Sequence, residues 1–213
     1  MYTLHIGNKN YSSWSVRPWV LLTELGIPFH ERLHVFGPGF TAKSEGGSPT
    51  NKVPALRDGD RLVWDSLAIV EYVAEKRPGV WPKDDTARAW ARSAAAEMHS
   101  AFGTLREVCS MNCGQRIQLH EISDALQSDI TRLAELWTEG LQRFGGPFLA
   151  GNSFGGVDAF FCPVAFRVQT YGLELPPAAK AYVERLLALD SMKKWYDRAL
   201  KETFRDEPHE RHT

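Results

Sequence analysis

The sequence predicts an α/β domain followed by an all-α domain, and three observations carry that reading. Strand and helix patterns alternate over the first eighty residues. From about Thr86 onward the apolar residues recur at three- and four-residue steps. Between the two lies the polar stretch Pro82-Lys-Asp-Asp85. The expected division is 1–80, 86–204 and a charged tail, 205–213, expected to be flexible.

Each element follows from local chemistry. Tyr2–Ile6 reads as a strand, and a polar stretch, Gly7–Ser13, leads into an apolar helix from about Ser15 to Leu25, stopped by Gly26. Ser15 is the expected cap, which puts Pro18 at the third helical position. Phe29–Val35 is the second strand, and a right-handed crossover makes this a βαβ unit. Residues 36–52, rich in Gly, Pro, Ser and Thr, read as a long loop of the kind that contacts ligands, with room for one short helical turn. Val53–Arg57 and Arg61–Trp64 form a hairpin through Asp58-Gly59-Asp60. Asp65–Lys76 is helical and ends at Pro78-Gly79.

The second half contains an alanine-rich helix over Thr86–Cys109 and a long amphipathic one over His120–Phe144. Further helices are expected at Val157–Thr170, Pro177–Ala188 and Ser191–Glu202.

Composition excludes several functions. Twenty-five basic and 26 acidic side chains give a net charge of −1, without the long-range attraction that non-specific nucleic-acid or anionic-membrane binding uses. No apolar run approaches the ~18 residues that span a bilayer, and no leader is expected ahead of the first strand. The three cysteines, Cys109, Cys113 and Cys162, are odd in number and lack a second ligand pair of zinc spacing. A reducing cytoplasm and no metal are the expectations.

The βαβ–ββα order is the thioredoxin-like arrangement, whose marker is a proline opening the third strand, here Val53-Pro54-Ala55-Leu56. Pro54 is either an ordinary strand-opening proline or a cis one that turns the Val53 backbone outward to pair with an extended peptide. Three further segments resemble cytosolic glutathione transferases. Ser48-Pro-Thr-Asn-Lys-Val-Pro54 is similar to their Asn-Pro-x-Gly-Lys-Val-Pro stretch, with Asn51 at the glycine position, a residue that tolerates the left-handed turn. Asp65-Ser-Leu-Ala-Ile-Val-Glu-Tyr72 resembles their helix-opening motif. Tyr11-Ser-Ser-Trp-Ser-Val-Arg17 resembles the Ser-Ser-Cys-Ser-x-Arg stretch of the zeta (maleylacetoacetate isomerase-like) serine class, and the match runs without a gap to Gly26-Ile27. Residues 1–80 carry most of the likeness. In the helical half it rests on Phe148–Asp158.

The resemblance implies a glutathione transferase, with glutathione as co-substrate and no resident cofactor. Ser12 is the expected donor to the glutathione thiolate at the positive end of the first helix, with Ser13 and Ser15 as alternatives and Arg17 adding charge. A serine hydroxyl is too weak a base to take the thiol proton itself. Lys52 is expected to meet the glycine carboxylate, Val53 and Pro54 to present backbone to the cysteinyl residue, and Ser66 to receive the γ-glutamyl carboxylate. Asp65 either accepts from the γ-glutamyl ammonium or caps its helix. Met98, Phe102 and Arg106, at three- and four-residue steps, are the candidate electrophile pocket, or else ordinary helix packing. The family implies a homodimer.

The departures matter. Glutathione transferases share a Ser/Thr-x-x-Asp capping box that opens a buried helix, and here Gly155 stands at its cap position, with Asp158 able to reach back to the cap N–H. On that reading Gly155→Ser is neutral or stabilising by about 0.5 kcal/mol or less. Trp14 stands where the zeta class has cysteine, which counts against its isomerase chemistry. No cysteine precedes Cys109, so redox chemistry of the thioredoxin or omega kind lacks its nucleophile. The readings left are thiol transfer to a small hydrophobic electrophile, a zeta-like cis–trans isomerase, and a non-catalytic binding protein of the same fold.

Overall fold

Residues 1–37, 39–40 and 47–210 are described by a computed structural model of the chain. Strands β1 (Tyr2–Gly7), β2 (Phe29–His34), β3 (Ala55–Asp58) and β4 (Arg61–Trp64) form one sheet in the order β2-β1-β3-β4. β1 runs parallel to β2, from Tyr2 opposite Phe29 to Gly7 opposite His34, and antiparallel to β3. The β3–β4 hairpin closes with Asp58 opposite Arg61, and Gly59 supplies the positive φ of 61° that its turn requires. This is the βαβ–ββα order read from the sequence. Of residues 36–52, expected to be a long loop with room for one short helical turn, 38 and 41–46 lie outside the described residues.

Helices α1 (Ser13–Glu24) and α2 (Ser66–Ala74) pack on this sheet, and six more follow: α3 (Asp85–Ser100), α4 (Gly103–Val108), α5 (Asp124–Phe144), α6 (Gly156–Tyr171), α7 (Pro177–Ala188) and α8 (Asp190–Leu200). α6 is buried along almost its whole length and packs against α1, α3 and α7, so one apolar core runs through both halves. The connection at Val80-Trp81 is buried as well, with the Val80 carbonyl accepting the Gly156 N–H at 2.6 Å. Asp158 caps α6 as expected, accepting from Gly155 N–H at 3.0 Å, and it also takes the Leu149 N–H at 3.0 Å and the Tyr182 hydroxyl at 2.7 Å.

Four expectations need correction. α1 begins at Ser13 rather than Ser15, because the Asn8 carbonyl ties down the Tyr11 and Ser12 N–H groups and makes Ser12 the cap; Pro18 therefore lies inside the helix. The alanine-rich segment is two helices, not one. Phe102 adopts a left-handed conformation (φ 56°, ψ 41°) with its ring buried, and Asp129 accepts the Leu105 N–H at 2.9 Å at the start of α4. α5 begins at Asp124 rather than His120, where Ser123 caps it, while Ile117 donates to the Thr170 carbonyl at 2.7 Å in extended chain.

The tail is the fourth. Through Glu210 it is docked: a 3-10 turn, Glu207–His209, follows Asp206, and Glu210 accepts from the Tyr11 hydroxyl and from Gln115 Nε2 at 2.8 Å. Asn112 Nδ2 donates to the His209 carbonyl at 3.3 Å.

Candidate active site

The Gly7–Ser12 turn delivers Ser12 to the N-terminus of α1, where backbone N–H groups point outward and favour negative charge. Ser12 Oγ donates to Ser15 Oγ at 2.7 Å, and Ser15 Oγ also accepts the Gly7 N–H at 3.2 Å. Ser15 is wholly buried, so it serves as the brace behind Ser12. Ser13 accepts from Arg167 at 3.3 Å. Of the three serines, Ser12 and Ser13 line a cavity of about 430 Å³ and Ser15 does not.

A second cavity of about 420 Å³ adjoins it, and Trp14, Lys52 and Val53 line both. Asn51 holds the left-handed φ of 54° anticipated for it, its N–H donating to Ser48 O at 3.1 Å. That turn carries Lys52 and Val53 past the N-terminus of α1. The Val53–Pro54 peptide bond is cis, so of the two readings of Pro54 the cis one holds. The second cavity ends at Pro54, Asp65 and Ser66. Lys52, Val53, Pro54, Asp65 and Ser66 thus form one continuous wall.

Of the two readings of Asp65, the helix cap is the one seen. Oδ1 caps α2 by accepting from Leu67 N–H at 2.8 Å and Ala68 N–H at 3.4 Å, while Oδ2 faces His99 Nε2 at 3.4 Å. Its φ of 77° and ψ of 139° lie in territory that costs a side-chain-bearing residue about 1–3 kcal/mol. Burial holds the His99 imidazole below its usual range, against the pull of Asp65.

Arg17, in the opening turns of α1, is buried. It is 2% exposed, its guanidinium 4.1 Å from the Trp14 ring and 4.7 Å from that of Phe160, and Nη1 donates to Ser66 Oγ at 3.2 Å. Burial, with Arg167 and Arg106 nearby, brings its pKa down to about 9. The cation therefore lies behind the Ser66 end of the second cavity.

The electrophile triplet separates. Met98 and Phe102 are core residues, because the break at Phe102 turns the expected stripe away. Arg106 alone of the three lines the first cavity; Nη1 donates to the Met98 carbonyl at 3.2 Å and the guanidinium stands 5.7 Å from the Trp14 ring. Sequence reasoning missed Arg167, Tyr11 and His209, which line the same cavity. Arg167 is buried on α6 with Nε donating to Cys109 O at 2.7 Å, and burial holds its pKa near 10. Its signal was a lone cation in an apolar helix. Among the described residues no cluster of His, Cys, Asp and Glu could hold a metal ion.

Residues 11–76 match the family model described as the glutathione S-transferase N-terminal domain. Maleylacetoacetate isomerase of Rattus norvegicus is 26% identical over 176 residues, 79% of each chain. A zeta class glutathione S-transferase of Euphorbia esula is 29% identical over 130 residues, 60% of this chain and 58% of its own. A glutathione transferase homologue from Burkholderia gl BGR1, solved with bound glutathione, superposes with a TM-score of 0.68 at 25% identity, covering 93% of this chain and 97% of that one.

Proposed function

We propose that this chain, which carries a glutathione S-transferase N-terminal domain within a glutathione transferase fold, is a serine-type transferase adding the glutathione thiolate to a small electrophile. The observation that carries the reading is the continuous wall from Ser12 through Lys52 and Val53 to Ser66. An extended tripeptide laid along it puts its thiol at the positive end of α1 and its γ-glutamyl carboxylate at the buried N-terminus of α2. The Ser12 hydroxyl then turns its one hydrogen from Ser15 to the thiolate and accepts the Ser15 hydroxyl hydrogen in exchange. Lys52 meets the glycine carboxylate, Val53 pairs with the cysteinyl backbone, and Ser66, backed by Arg17, receives the γ-glutamyl carboxylate. Asp65 Oδ2 accepts from the γ-glutamyl ammonium.

The electrophile enters the first cavity, where Tyr11, Trp14, Phe36 and Phe40 give aromatic walls and Arg106 and Arg167 give charge. That combination fits an apolar co-substrate bearing a carboxylate or a polarised carbonyl. A second reading, a glutathione-dependent cis–trans isomerase, draws on the relative named maleylacetoacetate isomerase and on the same two arginines. A cytoplasmic homodimer is the setting we infer.

Titration with glutathione by calorimetry and by ultraviolet thiolate absorbance tests the reading. The wild type should bind at millimolar concentration or below with the thiol pKa lowered from ~8.5, and Ser12→Ala should bind but lose most of the lowering. Absence of binding at millimolar glutathione refutes both enzymatic readings. Incubation with maleylacetone then separates addition from isomerisation.

A further inference from the structure

Ionising a bound thiol leaves a proton to be placed. Ser12 cannot hold it, and the other groups around the first cavity are poorly suited. The Lys52 ammonium and the Arg106 and Arg167 guanidiniums offer donors and no acceptor. The Tyr11 phenol donates to Glu210, and its pKa is raised by burial and by that carboxylate. Ser13, Ser110 and Asn51 offer no basic atom. Among the described lining residues, one remains: the imidazole of His209.

Its setting is that of a held base. Nδ1 faces Asp206 Oδ2 within hydrogen-bond reach. A carboxylate only accepts, so Nδ1 carries the hydrogen, and in the neutral ring Nε2 is then the atom with the lone pair. The ring lies against Tyr11, centroids 5.4 Å apart, next in sequence to Ser12. Three anchors hold the segment down: His209 N–H to the Asp206 carbonyl at 2.8 Å, Asn112 to the His209 carbonyl at 3.3 Å, and Gln115 to Glu210 at 2.8 Å. A loose tail has no use for these.

We propose that His209 is a further catalytic residue, the proton carrier of the site, positioned by Asp206; this rests on the thiol-addition reading above. With a conjugated enone as electrophile, the S–H bond breaks and its proton passes to Nε2, giving imidazolium and thiolate. The sulfur lone pair forms the S–C bond at the β-carbon, and the alkene π pair becomes an enolate. The enolate α-carbon then takes the proton back from Nε2, so the adduct is neutral overall and the imidazole is restored.

The test follows the proton in the full-length chain. Glutathione is mixed with protein in weak buffer at neutral pH, with thiolate absorbance and a pH indicator read together. In the wild type the thiolate should form with much less than a full proton released per thiolate. In His209→Phe, which keeps a ring on Tyr11, and in His209→Gln, every thiolate that forms should release its proton to the buffer. With an enone co-substrate both variants should lose about 10²-fold in kcat, with the glutathione dissociation constant within about threefold of the wild type. Asp206→Asn should fall between. Equal proton release in wild type and variants, or kcat in His209→Phe within about threefold of the wild type, overturns the assignment. Failure of the wild type to form any thiolate refutes instead the thiol-addition reading on which it rests.

Discussion

Arg17→Met separates ligand binding from folding more cleanly than any other single change at this site. The guanidinium is 2% exposed, its Nε lacks a partner, and no carboxylate pairs with it among the described residues. A pKa brought from above 12 to about 9 corresponds to a cost of about 4–5 kcal/mol for keeping the charged form in the fold. The sign is that of a destabilised cation: the cost is fully present at neutral pH and is relieved as pH rises through about 9. Against it stand two aromatic contacts, at 4.1 and 4.7 Å, worth about 1–2 kcal/mol each when desolvated. The charged hydrogen bond to Ser66 adds about 1.5–3 kcal/mol. These nearly cancel the cost, so replacing the guanidinium with a thioether of similar length should leave unliganded stability within about 2 kcal/mol of the wild type. Glutathione affinity should fall about 10- to 100-fold, because the γ-glutamyl carboxylate loses the charge behind Ser66. Urea unfolding with and without glutathione reads both quantities, the ligand-induced stabilisation shrinking as the dissociation constant rises. A variant destabilised by more than about 3 kcal/mol that binds glutathione at wild-type affinity would show that Arg17 serves packing alone.

Two other consequences concern the scaffold. Gly155→Ser should lower stability by about 1 kcal/mol, opposite to the sequence-based expectation, since a Cβ there meets the Val80 carbonyl oxygen at 3.0 Å while that oxygen is engaged with Gly156 N–H; equilibrium denaturation decides, and a gain would show that the 79–81 connection yields. Cys109, Cys113 and Cys162 are fully buried, with burial pushing the Cys113 and Cys162 thiols up, so a thiol reagent should modify none of them before unfolding. Rapid labelling of any one in native buffer contradicts that burial.

What was legible in the sequence depended on local signals. Gly26, Asp58-Gly59 and the α5 and α6 periodicities act within a few residues, and each element they mark is present. The start of α1 was misplaced because the Asn8 carbonyl, not a serine side chain, organises the turn. The break at Phe102 has a tertiary cause, a buried ring and an Asp129 carboxylate contributed by α5. Arg17 carries an ordinary first-turn signature, and only the packing of α1 against α6 buries it beside Phe160. The tail looked like a solvated charge run because its partners, Tyr11, Asn112 and Gln115, lie about a hundred or more residues away.

A chain of net charge −1 has no overall field with which to collect an anionic peptide, so the attraction must be local. The cations around the two cavities differ in kind. Lys52 is exposed, and salt screens it within a Debye length of about 8 Å. Arg17 and Arg167 are buried, and water and salt shield them far less. Arg17 donates to Ser66 and Arg167 to Ser13. Each end of the wall is therefore backed by a charge that the fold has already desolvated. On the glutathione reading proposed above, recognition draws on charge in place before the ligand arrives, so that the Ser66 end should be the salt-resistant part of the site and the Lys52 end the salt-sensitive one.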